Sequence, residues 1–519
     1  MSTLTQRTTT LPGYQSRLAL VGDLHNHCGI SYGHASLSDA LANAALQLDF
    51  VSVTGHAQWH DMPTEDRLGP VRDYHREGFA RLEGMWDEVQ ELTAAAHTAS
   101  LVTLLSYEWH SCTHGDHCVY YRDDHGPLLR ADSLTELRSL LRSEIAAGRP
   151  AMVLPHHVGY PTGYRGANWD DFTDELTPVV EVVSMHGGAV TEQGPRPYLH
   201  TMGPLDGPNT AHAALAGGRR FGFIGSTDHH SAHPGSHGHG RAMVWADEHS
   251  RTGVWDAIQQ RRTYAVTGDP IVLATTLDGV AMGGTTTPTG RHELAIDVAG
   301  LDTVTEVTVV RDGSVIDRIT PAPSPGNGRF DGVVSFGVGW GETGRSQDWD
   351  VTVRVSGGRI EQVEPRLHGL DTVDPLQVDH GEFHFSRWEQ RAADEVRLVT
   401  RTHGNPTVTT DATQGMALRL VGDGDTVVEL AAADGTDEVR LRATVDELRQ
   451  QGRAAHLGGF LTGGVRLDRA VDDAARRVAT TVVDDPGPGD HWYAVQASQA
   501  NDQHAWSSPH FVTTEPSAG

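Results

Sequence analysis

Short apolar runs alternate with segments of helical period along the first half of the chain. The runs are bounded by polar or turn residues, as buried strands are. The predicted strands are Leu18–Leu24, Phe50–Thr54, Leu101–Tyr107, Ala151–Leu154, Val179–Ser184, Phe221–Gly225 and Thr263–Val266. Helical patterns between them include Ser36–Leu48, Tyr74–His97 and Ser133–Ala147. A repeated βα unit predicts an α/β fold with a parallel sheet, most simply closed into a barrel.

The pattern changes after Gly268-Asp-Pro270, where apolar residues begin to alternate between Gly, Thr and Asp turns. Thr305–Asp317 is typical of a β-hairpin with an Asp312-Gly313 turn. The clear helix signal is Thr444–Gln451, with Thr444 as N-cap and Glu447 three residues later. The second half therefore predicts one or two β-sandwich domains.

These patterns divide the chain into three expected domains. A barrel would span residues 1–270, a β-sandwich-like domain 271–400 and a β-rich C-terminal domain 401–519. The breaks in the second half would fall near Pro321–Asn327 and around Arg401–Pro406. No motif there carries chemistry, so we expect these domains to support the barrel, shape its cleft or mediate homo-oligomerisation.

Composition and charge narrow the class of protein. The chain has 519 residues, is 38% hydrophobic and carries a net charge of −28. An acidic globular chain predicts no nucleic acid and no anionic membrane as partner. No sustained apolar segment indicates a signal peptide or a transmembrane span, so the expected location is the cytoplasm. Three cysteines argue against a disulfide framework.

Histidine is concentrated in the first half, where 22 of the 31 lie before residue 250. His25 and His27 follow the first strand, and side chains at i and i+2 of an extended segment point to the same side. Similar groups follow later strands: His56, Glu108, His110, His156, His157, His186, Asp228, His229 and His230. Because active sites of parallel βα folds lie at the carboxyl ends of the strands, these residues predict one shared site.

Imidazole nitrogens with a few carboxylates, and no Cys cluster, suit Zn, Mn or Fe. Glu108 and Asp228 are the acids at the predicted rim, and a carboxylate is able to bridge two ions. Two metals about 3.5–4 Å apart lower the pKa of a bound water and stabilise an in-line displacement. The pattern therefore predicts a metal-dependent hydrolase with a small-molecule substrate.

The spacing of these groups resembles the PHP superfamily, named for polymerase and histidinol phosphatase, over roughly residues 18–270. The matching pieces are Asp23-Leu-His-Asn-His27, Gly33-His34-Ala35, Thr54-Gly-His56, Glu108, the His after Pro155, His186 and Asp228-His-His230. Other stretches resemble a long branch of that family that is similar to carbaryl hydrolases. They are Tyr107-Glu-Trp109, 115–123, 180–187, 261–268, Trp492-Tyr493 and 505–509.

The resemblance implies a distorted (β/α)7 barrel with a trinuclear centre, or two to three divalent ions per chain. It assigns one metal to His25, His27, Glu108 and Asp228, a second to Glu108, His156 and His186, and a third to His34, His56 and His230. His156 is favoured over His157 because the family places the ligand directly at the strand end. Gly55 stands where the family often has Asp, which puts a direct analogy to the phosphatases in question.

Further residues near the predicted rim are candidates for contacting substrate or supporting the ligands. They are His117, His157, Tyr160, Arg165, His229 and His233. His229 would point away from Asp228 and His230 if that segment is extended. Glu108 and Asp228 are the expected catalytic carboxylates, since they would hold the metals.

Three functions remain open at this point. Phosphoester hydrolysis leads, because clustered cations suit a phosphate and the superfamily resemblance points there. Hydrolysis of a carbamate, carboxylic ester or amide is the alternative that the carbaryl-hydrolase-like branch suggests. A non-catalytic binder of an anionic ligand is the third, although a pure binder has no need of a full ligand set.

Overall fold

The structure is a computed structural model, and it describes residues 7–199, 202–288, 290–321, 328–370, 382–404 and 411–513. The break expected near Pro321–Asn327 lies outside these ranges except for Pro321, and the break expected around Arg401–Pro406 lies inside them up to residue 404. No helix in the described part of the chain is both long and apolar enough to cross a membrane.

The helices begin at side-chain caps where the sequence supplies them. They are α1 (Leu37–Ala44), α2 (Gly69–Ala96), α3 (Leu134–Ala146), α4 (Ala211–Ala216), α5 (Arg251–Gln259), α6 (Val445–Gln450) and α7 (Asp473–Arg476). Thr444 and Glu447 form the capping box that the sequence predicts for α6. Ser36 and Asp39 form another at α1, so the first helix starts just after the loop that carries His25 and His27.

Twelve strands precede residue 270 in the described ranges. They are β1 (Leu18–Asp23), β2 (Phe50–Val51), β3 (Gly55–Trp59), β4 (Val102–Thr103), β5 (Leu105–His110), β6 (His117–Tyr121), β7 (Ala151–Pro155), β8 (Val179–Ser184), β9 (Gly187–Gly188), β10 (Gly222–Gly225), β11 (Arg241–Ala246) and β12 (Thr263–Val266). All seven predicted strands are present at least in part. The third is divided into β4 and β5, the second is reduced to β2, and β3 begins directly after the predicted end of the second.

Their pairing is mixed rather than wholly parallel. β1, β2 and β4 run parallel, as do β3 with β5 and β8 with β10. However, β6 pairs antiparallel with both β5 and β7, and β11 pairs antiparallel with β1 and β12. β6 was not predicted; it arises because a turn at 111–116 folds the chain straight back as a hairpin. The prediction of a wholly parallel sheet is therefore wrong, while closure of the strands into a barrel stays a prediction.

The remaining strands build β-sheets on both sides of residue 400. They are β13 (Val272–Leu277), β14 (Val280–Ala281), β15 (Thr285–Thr286), β16 (His292–Ala299), β17 (Val304–Arg311), β18 (Ser314–Ile319), β19 (Arg329–Trp340), β20 (Ser346–Ser356), β21 (Arg359–Arg366), β22 (Arg387–Ala392), β23 (Glu395–His403), β24 (Gln414–Asp423), β25 (Val427–Ala433), β26 (Glu438–Thr444), β27 (Arg453–His456), β28 (Gly463–Leu467), β29 (Val471–Asp472), β30 (Arg477–Asp484), β31 (His491–Gln499), β32 (His504–Ser507) and β33 (His510–Val512). β17 and β18 form the predicted hairpin, and its Asp312 and Gly313 both have positive φ.

Two of these sheets, β21-β24-β19-β28-β27 and β22-β23-β20-β25-β26, share one apolar core. Phe336, Trp349 and Leu418 lie in it, so the pair forms a sandwich. Both sheets contain strands from before and after residue 400. The expected 271–400 and 401–519 segments therefore share their sheets. Likewise β32 pairs with β12, which joins the end of the chain to the sheet of the first half.

Charged side chains join the sandwich to the site-bearing half. Arg7 donates to Asp49 at 2.8 Å and to Glu364 at 2.7–2.8 Å, with all three side chains buried. Asp269, directly after β12, accepts from Arg366 of β21 at 2.7 and 2.8 Å. The backbone of His237 also donates to the Leu367 carbonyl oxygen at 2.9 Å. These contacts fix the sandwich against three parts of the first half: the residue before β2, the segment after β12 and the loop that follows β10.

Candidate metal centre

The end of β1 and the loop after β10 are hydrogen-bonded to each other, and this brings the first ligand candidates together. The amide of Asp228 donates to the His25 carbonyl oxygen at 2.7 Å, and the amide of His27 donates to that of His229 at 2.8 Å. Asp228 has φ +52°, a sparsely populated conformation for a non-glycine residue. The surrounding hydrogen bonds hold it there, with its carboxylate turned towards the histidines.

Asp228 is the centre of one half of the site. Its Oδ1 lies 3.0 Å from His27 Nε2 and 3.3 Å from His25 Nε2. Its Oδ2 lies 2.7 Å from His186 Nε2 and 3.3 Å from His157 Nε2. Although burial opposes the charged form, the surrounding histidines hold the pKa of Asp228 well below its usual range. Asp228 is therefore an ionised carboxylate surrounded by imidazoles.

Glu108 of β5 is the centre of the other half. His156 Nε2 lies 2.7 Å from its Oε1, and His56 Nε2 lies 3.1 Å from its Oε2. His27 Nε2 approaches the same Oε2 at 3.6 Å, which links the two halves. Burial, together with the negative charges of Asp116 and Asp228, raises the pKa of Glu108 well above its usual value. A cation between these groups would relieve that penalty.

The ring orientation of the histidines is shared. His25, His27, His56, His156 and His186 direct Nε2 at the carboxylates, while Nδ1 faces a group outside the cluster. His25 Nδ1 lies 2.9 Å from Glu181 Oε2, His27 Nδ1 2.5 Å from the Thr54 carbonyl oxygen, and His56 Nδ1 3.0 Å from Ser31 Oγ. His186 Nδ1 faces the Tyr160 hydroxyl at 3.4 Å, and His156 Nδ1 faces Cys118 Sγ at 3.6 Å. Metal-ligating histidines are oriented in this way, by a partner on the other nitrogen.

The hydrogen bonding and the protonation of the candidate ligand atoms also fit a metal site. His156 Nε2 and Glu108 Oε2 are buried and have no hydrogen-bond partner, although ligand atoms of other residues lie close by. Burial lowers the pKa of His25, His56 and His156 well below the usual value, so the rings are neutral. Neutral imidazole is the form that binds a metal.

Several groups of three residues have ligand atoms within 4.8 Å of one another. Four of them are His25-His27-Asp228, His27-His56-His230, His56-Glu108-His110 and Asp116-His156-His157. The arrangement could therefore hold more than one ion in a single buried cluster, with His27 and His56 shared between neighbouring positions.

The structure distributes the predicted ligands somewhat differently from the sequence-based sets. His186 contacts Asp228 rather than being placed on Glu108 with His156. His34 donates its amide to the His230 carbonyl oxygen, and its ring stacks 6.1 Å from that of Phe383. His230 lies with His27 and His56 in one of the groups named above, and its Nδ1 lies 2.8 Å from the Asp228 carbonyl oxygen. The other predicted ligands lie together.

Sequence reasoning assigned no role to Asp116 and did not include His110 among the ligands. Asp116 Oδ2 lies 3.1 Å from His157 Nδ1, 3.3 Å from His110 Nδ1 and 2.6 Å from Arg165 Nε. His110 Nδ1 also lies 3.3 Å from Glu108 Oε1. The spacing of Glu108 and His110, i and i+2 on a strand, was the available signal for His110. Asp116 lies in the turn before β6, and no periodicity marks it.

Three of the predicted substrate-side residues lie at the cluster. His157, with φ +54°, bridges Asp116 and Asp228. Tyr160 is fully buried beside His186. Arg165 is held by Asp116, and its guanidinium lies 4.8 Å from the Trp59 ring centroid. The charge of Asp116 is the principal reason that the pKa of Arg165 is raised, so the guanidinium stays charged.

The other three lie elsewhere. His117 is buried on β6, with Nδ1 2.9 Å from the Gly115 carbonyl oxygen and its ring 6.1 Å from that of Trp109. On β6 it alternates with Cys118, the residue that faces His156, so its side chain points to the opposite face. His229 and His233 pack against each other and beneath Gly369 of the segment after β21.

Comparisons with known proteins give distant matches. No protein-family model matches the chain. An uncharacterized protein of Chlamydia muridarum is 23% identical over 188 residues, which is 33% of this chain and 30% of the relative. An uncharacterized protein of Chlamydia trachomatis serovar D is 24% identical over 173 residues, 30% of this chain and 28% of the relative. The matched part of the chain thus spans less than a third of these relatives.

Among solved structures, the chain is similar to a two-domain protein of Bacteroides vulgatus that contains a predicted PHP-like metal-dependent phosphoesterase. The match has 15% identity, a TM-score of 0.32, and covers 60% of this chain and 84% of that one. A TM-score of that size is too low to support an argument about function.

Proposed function

We propose that this protein is a metal-dependent hydrolase of phosphoesters. The observation that carries the proposal is the common orientation of His25, His27, His56, His156 and His186. Each directs Nε2 at Glu108 or Asp228. Divalent ions held there would supply Lewis-acid activation of water and of the substrate's oxygens.

The chain's own residues have separate tasks in this proposal. Glu108 and Asp228 carry the negative charge that neutralises the ions, and the histidines complete the ligand set. Arg165 is a half-buried cation 2.9 Å from His110 Nδ1 and 2.6 Å from Asp116. It is placed to compensate negative charge on a substrate at the edge of the cluster. Tyr160 lies beside His186, and His157 bridges Asp116 and Asp228.

A phosphoester is the favoured substrate class because the candidate ligand groups lie side by side and share members. Neighbouring cations are able to hold several oxygens of one tetrahedral phosphoryl group, and they stabilise both the attacking and the leaving oxygen. A carbamate, ester or amide carbonyl offers one oxygen for such contacts. Those substrates therefore remain the alternative that the experiment must separate.

The test is hydrolysis by protein reconstituted with Mn or Zn, using 4-nitrophenyl phosphate, bis(4-nitrophenyl) phosphate, 4-nitrophenyl acetate and an aryl carbamate. We expect phosphoester turnover that a chelator abolishes and added metal restores. His27→Ala should remove it, while His125→Ala, at an exposed histidine outside the cluster, should not. Turnover that survives chelation would overturn the metal mechanism. Turnover of the carbamate or acetate alone would overturn the phosphoester assignment.

A further inference from the structure

A cavity of about 610 Å³ lies beside the metal cluster. Residues directly after β3 form one side of it, and the start of α2 forms another. Its apolar lining includes Trp59, Met62 and Phe79, and its cationic lining is Arg72, Arg76 and Arg130. Volumes of about 300–1,000 Å³ are typical of small-molecule sites.

The cavity adjoins the cluster through aromatic rings. In the parallel pairing of β3 with β5, His56 lies opposite Glu108 and Trp59 opposite His110. The His110 ring is 5.2 Å from that of His56 and 5.8 Å from that of Trp59, and Phe79 lies 5.9 Å from it. Trp59 is three residues beyond His56, or about 10 Å along a strand. A substrate reacting at the cluster could therefore extend past Trp59 into the cavity.

The arginines that line the cavity differ in whether an acidic side chain neutralises their charge. Arg130 pairs with Glu83 at 2.8 Å, and the exposed Arg76 pairs with Asp73 at 3.6 Å. Half-buried Arg72 instead donates to the carbonyl oxygens of Pro63 and Glu65, at 3.0 and 2.8 Å. Neutral acceptors leave its positive charge available. Asp132 is the acid that also lines the cavity, against three arginines.

We infer that this cavity binds the part of the substrate that is not hydrolysed, and that this part is a flat aromatic ring bearing an anionic group. Trp59 and Phe79 supply the apolar surface for the ring, and Arg72, supported by Arg76, supplies the counter-charge for the anion. The inference rests on the phosphoester hydrolysis proposed above. It adds the leaving-group class, an anionic aryl alcohol.

The experiment compares 4-carboxyphenyl phosphate with phenyl phosphate, using the metal-reconstituted protein. We expect kcat/KM to be about tenfold higher for the carboxylated substrate, as one charge-assisted contact provides. Arg72→Gln should remove that preference, so that kcat/KM for the carboxylated substrate no longer exceeds that for phenyl phosphate. Arg67→Gln, at an exposed arginine near the cavity but outside its lining, is the matched control and should keep the preference. Arg76→Gln should reduce the preference in part.

A binding measurement separates this inference from the proposed function. Isothermal titration with 4-carboxyphenylphosphonate and phenylphosphonate, which are not hydrolysed, should show the same Arg72-dependent ratio of Kd. If neither phosphate is hydrolysed but that ratio persists, the cavity assignment stands and the phosphoester proposal fails. If both phosphates are hydrolysed equally well by wild type, the cavity assignment is wrong and the proposed function stands. Thermal melts establish that Arg72→Gln is folded, and Arg76→Gln serves as the test if it is not.

Discussion

At the scale of single residues, the site depends on which nitrogen each histidine presents. An imidazole binds one metal well only when its other nitrogen is fixed by a partner. Here those partners are ordinary residues of the fold, such as the Thr54 carbonyl oxygen, Ser31 and Glu181. Glu181 of β8 is buried and lies 2.9 Å from His25 Nδ1, so its role is to position that ring.

Glu181→Gln should therefore weaken metal binding without removing a ligand. We expect the affinity for Zn to fall about 10–100-fold, the range typical of a lost supporting partner. Competition with a chromogenic chelator measures it, and Glu175→Gln, at an exposed acid, is the matched control. Unchanged affinity in Glu181→Gln would contradict a positioning role.

Residue identity at the site was predictable where period-2 spacing or a motif marked it. His25 and His27, on one side of an extended segment, lie together as that spacing predicts. The same rule applied to Glu108 and His110 would have added His110. Asp116 could not be predicted in this way, because its position depends on the β5–β6 turn. His117 was misplaced for a related reason, since the strand that turns it away from the cluster was not predicted.

At the scale of elements, the structure depends on buried charges where loops meet. Asp269 accepts from Arg366 of β21, from Gln499 of β31 at 2.9 Å and from Asn501 at 2.8 Å, and lies 3.0 Å from His237 Nε2. Although burial raises the pKa of Asp269, the pKa lies well below its usual range, and the charge of Arg366 is the main reason. Four separate parts of the chain thus meet at one ionised carboxylate.

Asp269→Asn should lower the free energy of unfolding by about 3–5 kcal/mol, because it leaves the charge of the largely buried Arg366 unpaired. Asp348→Asn, which breaks an exposed pair with Arg401, should cost less than about 1 kcal/mol. Denaturant unfolding at pH 7 measures both. Equal losses in the two variants would contradict the account of Asp269.

The depressed pKa of Asp269 also predicts that the protein loses stability at acid pH. Since its folded pKa is depressed, its contribution is complete above the unfolded pKa of about 4 and is lost as the pH falls below that value. Burial lowers the pKa of His237 to about 3, so this residue also costs stability as the pH falls below about 6.5. We expect wild type to lose stability more steeply than Asp269→Asn between pH 4 and the acid end. Parallel profiles of the two proteins below pH 4 would contradict it.

Elements with strong local signals were predicted well. The Asp312-Gly313 turn and the Thr444–Glu447 cap are examples, because turn and cap chemistry is local. Sheet membership was not predictable in the same way. β19 pairs with β24 and β28 from beyond residue 400, and such long-range pairing leaves no mark in the spacing of either strand.

At the scale of the whole molecule, the first half shares its sheets with the second half. β32 pairs with β12, β31 pairs with β32, and β30 pairs with β16, so the end of the chain completes sheets begun near its middle. Trp506 and Phe511 also pack in one apolar cluster with Val180 and Phe223 of the first half.

A chain ending at residue 270 should therefore not fold cooperatively, because it exposes the edge of β12 and the apolar surface that Trp506 and Phe511 cover. Thermal unfolding followed by circular dichroism, compared with that of the full chain, measures this. A cooperative melt together with retained metal binding by residues 1–270 would show that the first half is an independent domain, against this expectation.

The measurement that tests the central claim most directly is the metal content of the purified, dialysed full chain by elemental analysis. Each protein is incubated with Mn or Zn and then dialysed before the analysis. The proteins compared are wild type, Glu108→Gln and the control Glu248→Gln, which changes an exposed acid outside the cluster. The account predicts two or three divalent ions per wild-type and control chain, and at least one fewer in Glu108→Gln. A folded wild-type chain that retains no divalent metal, or a Glu108→Gln chain with the full wild-type content, would contradict it.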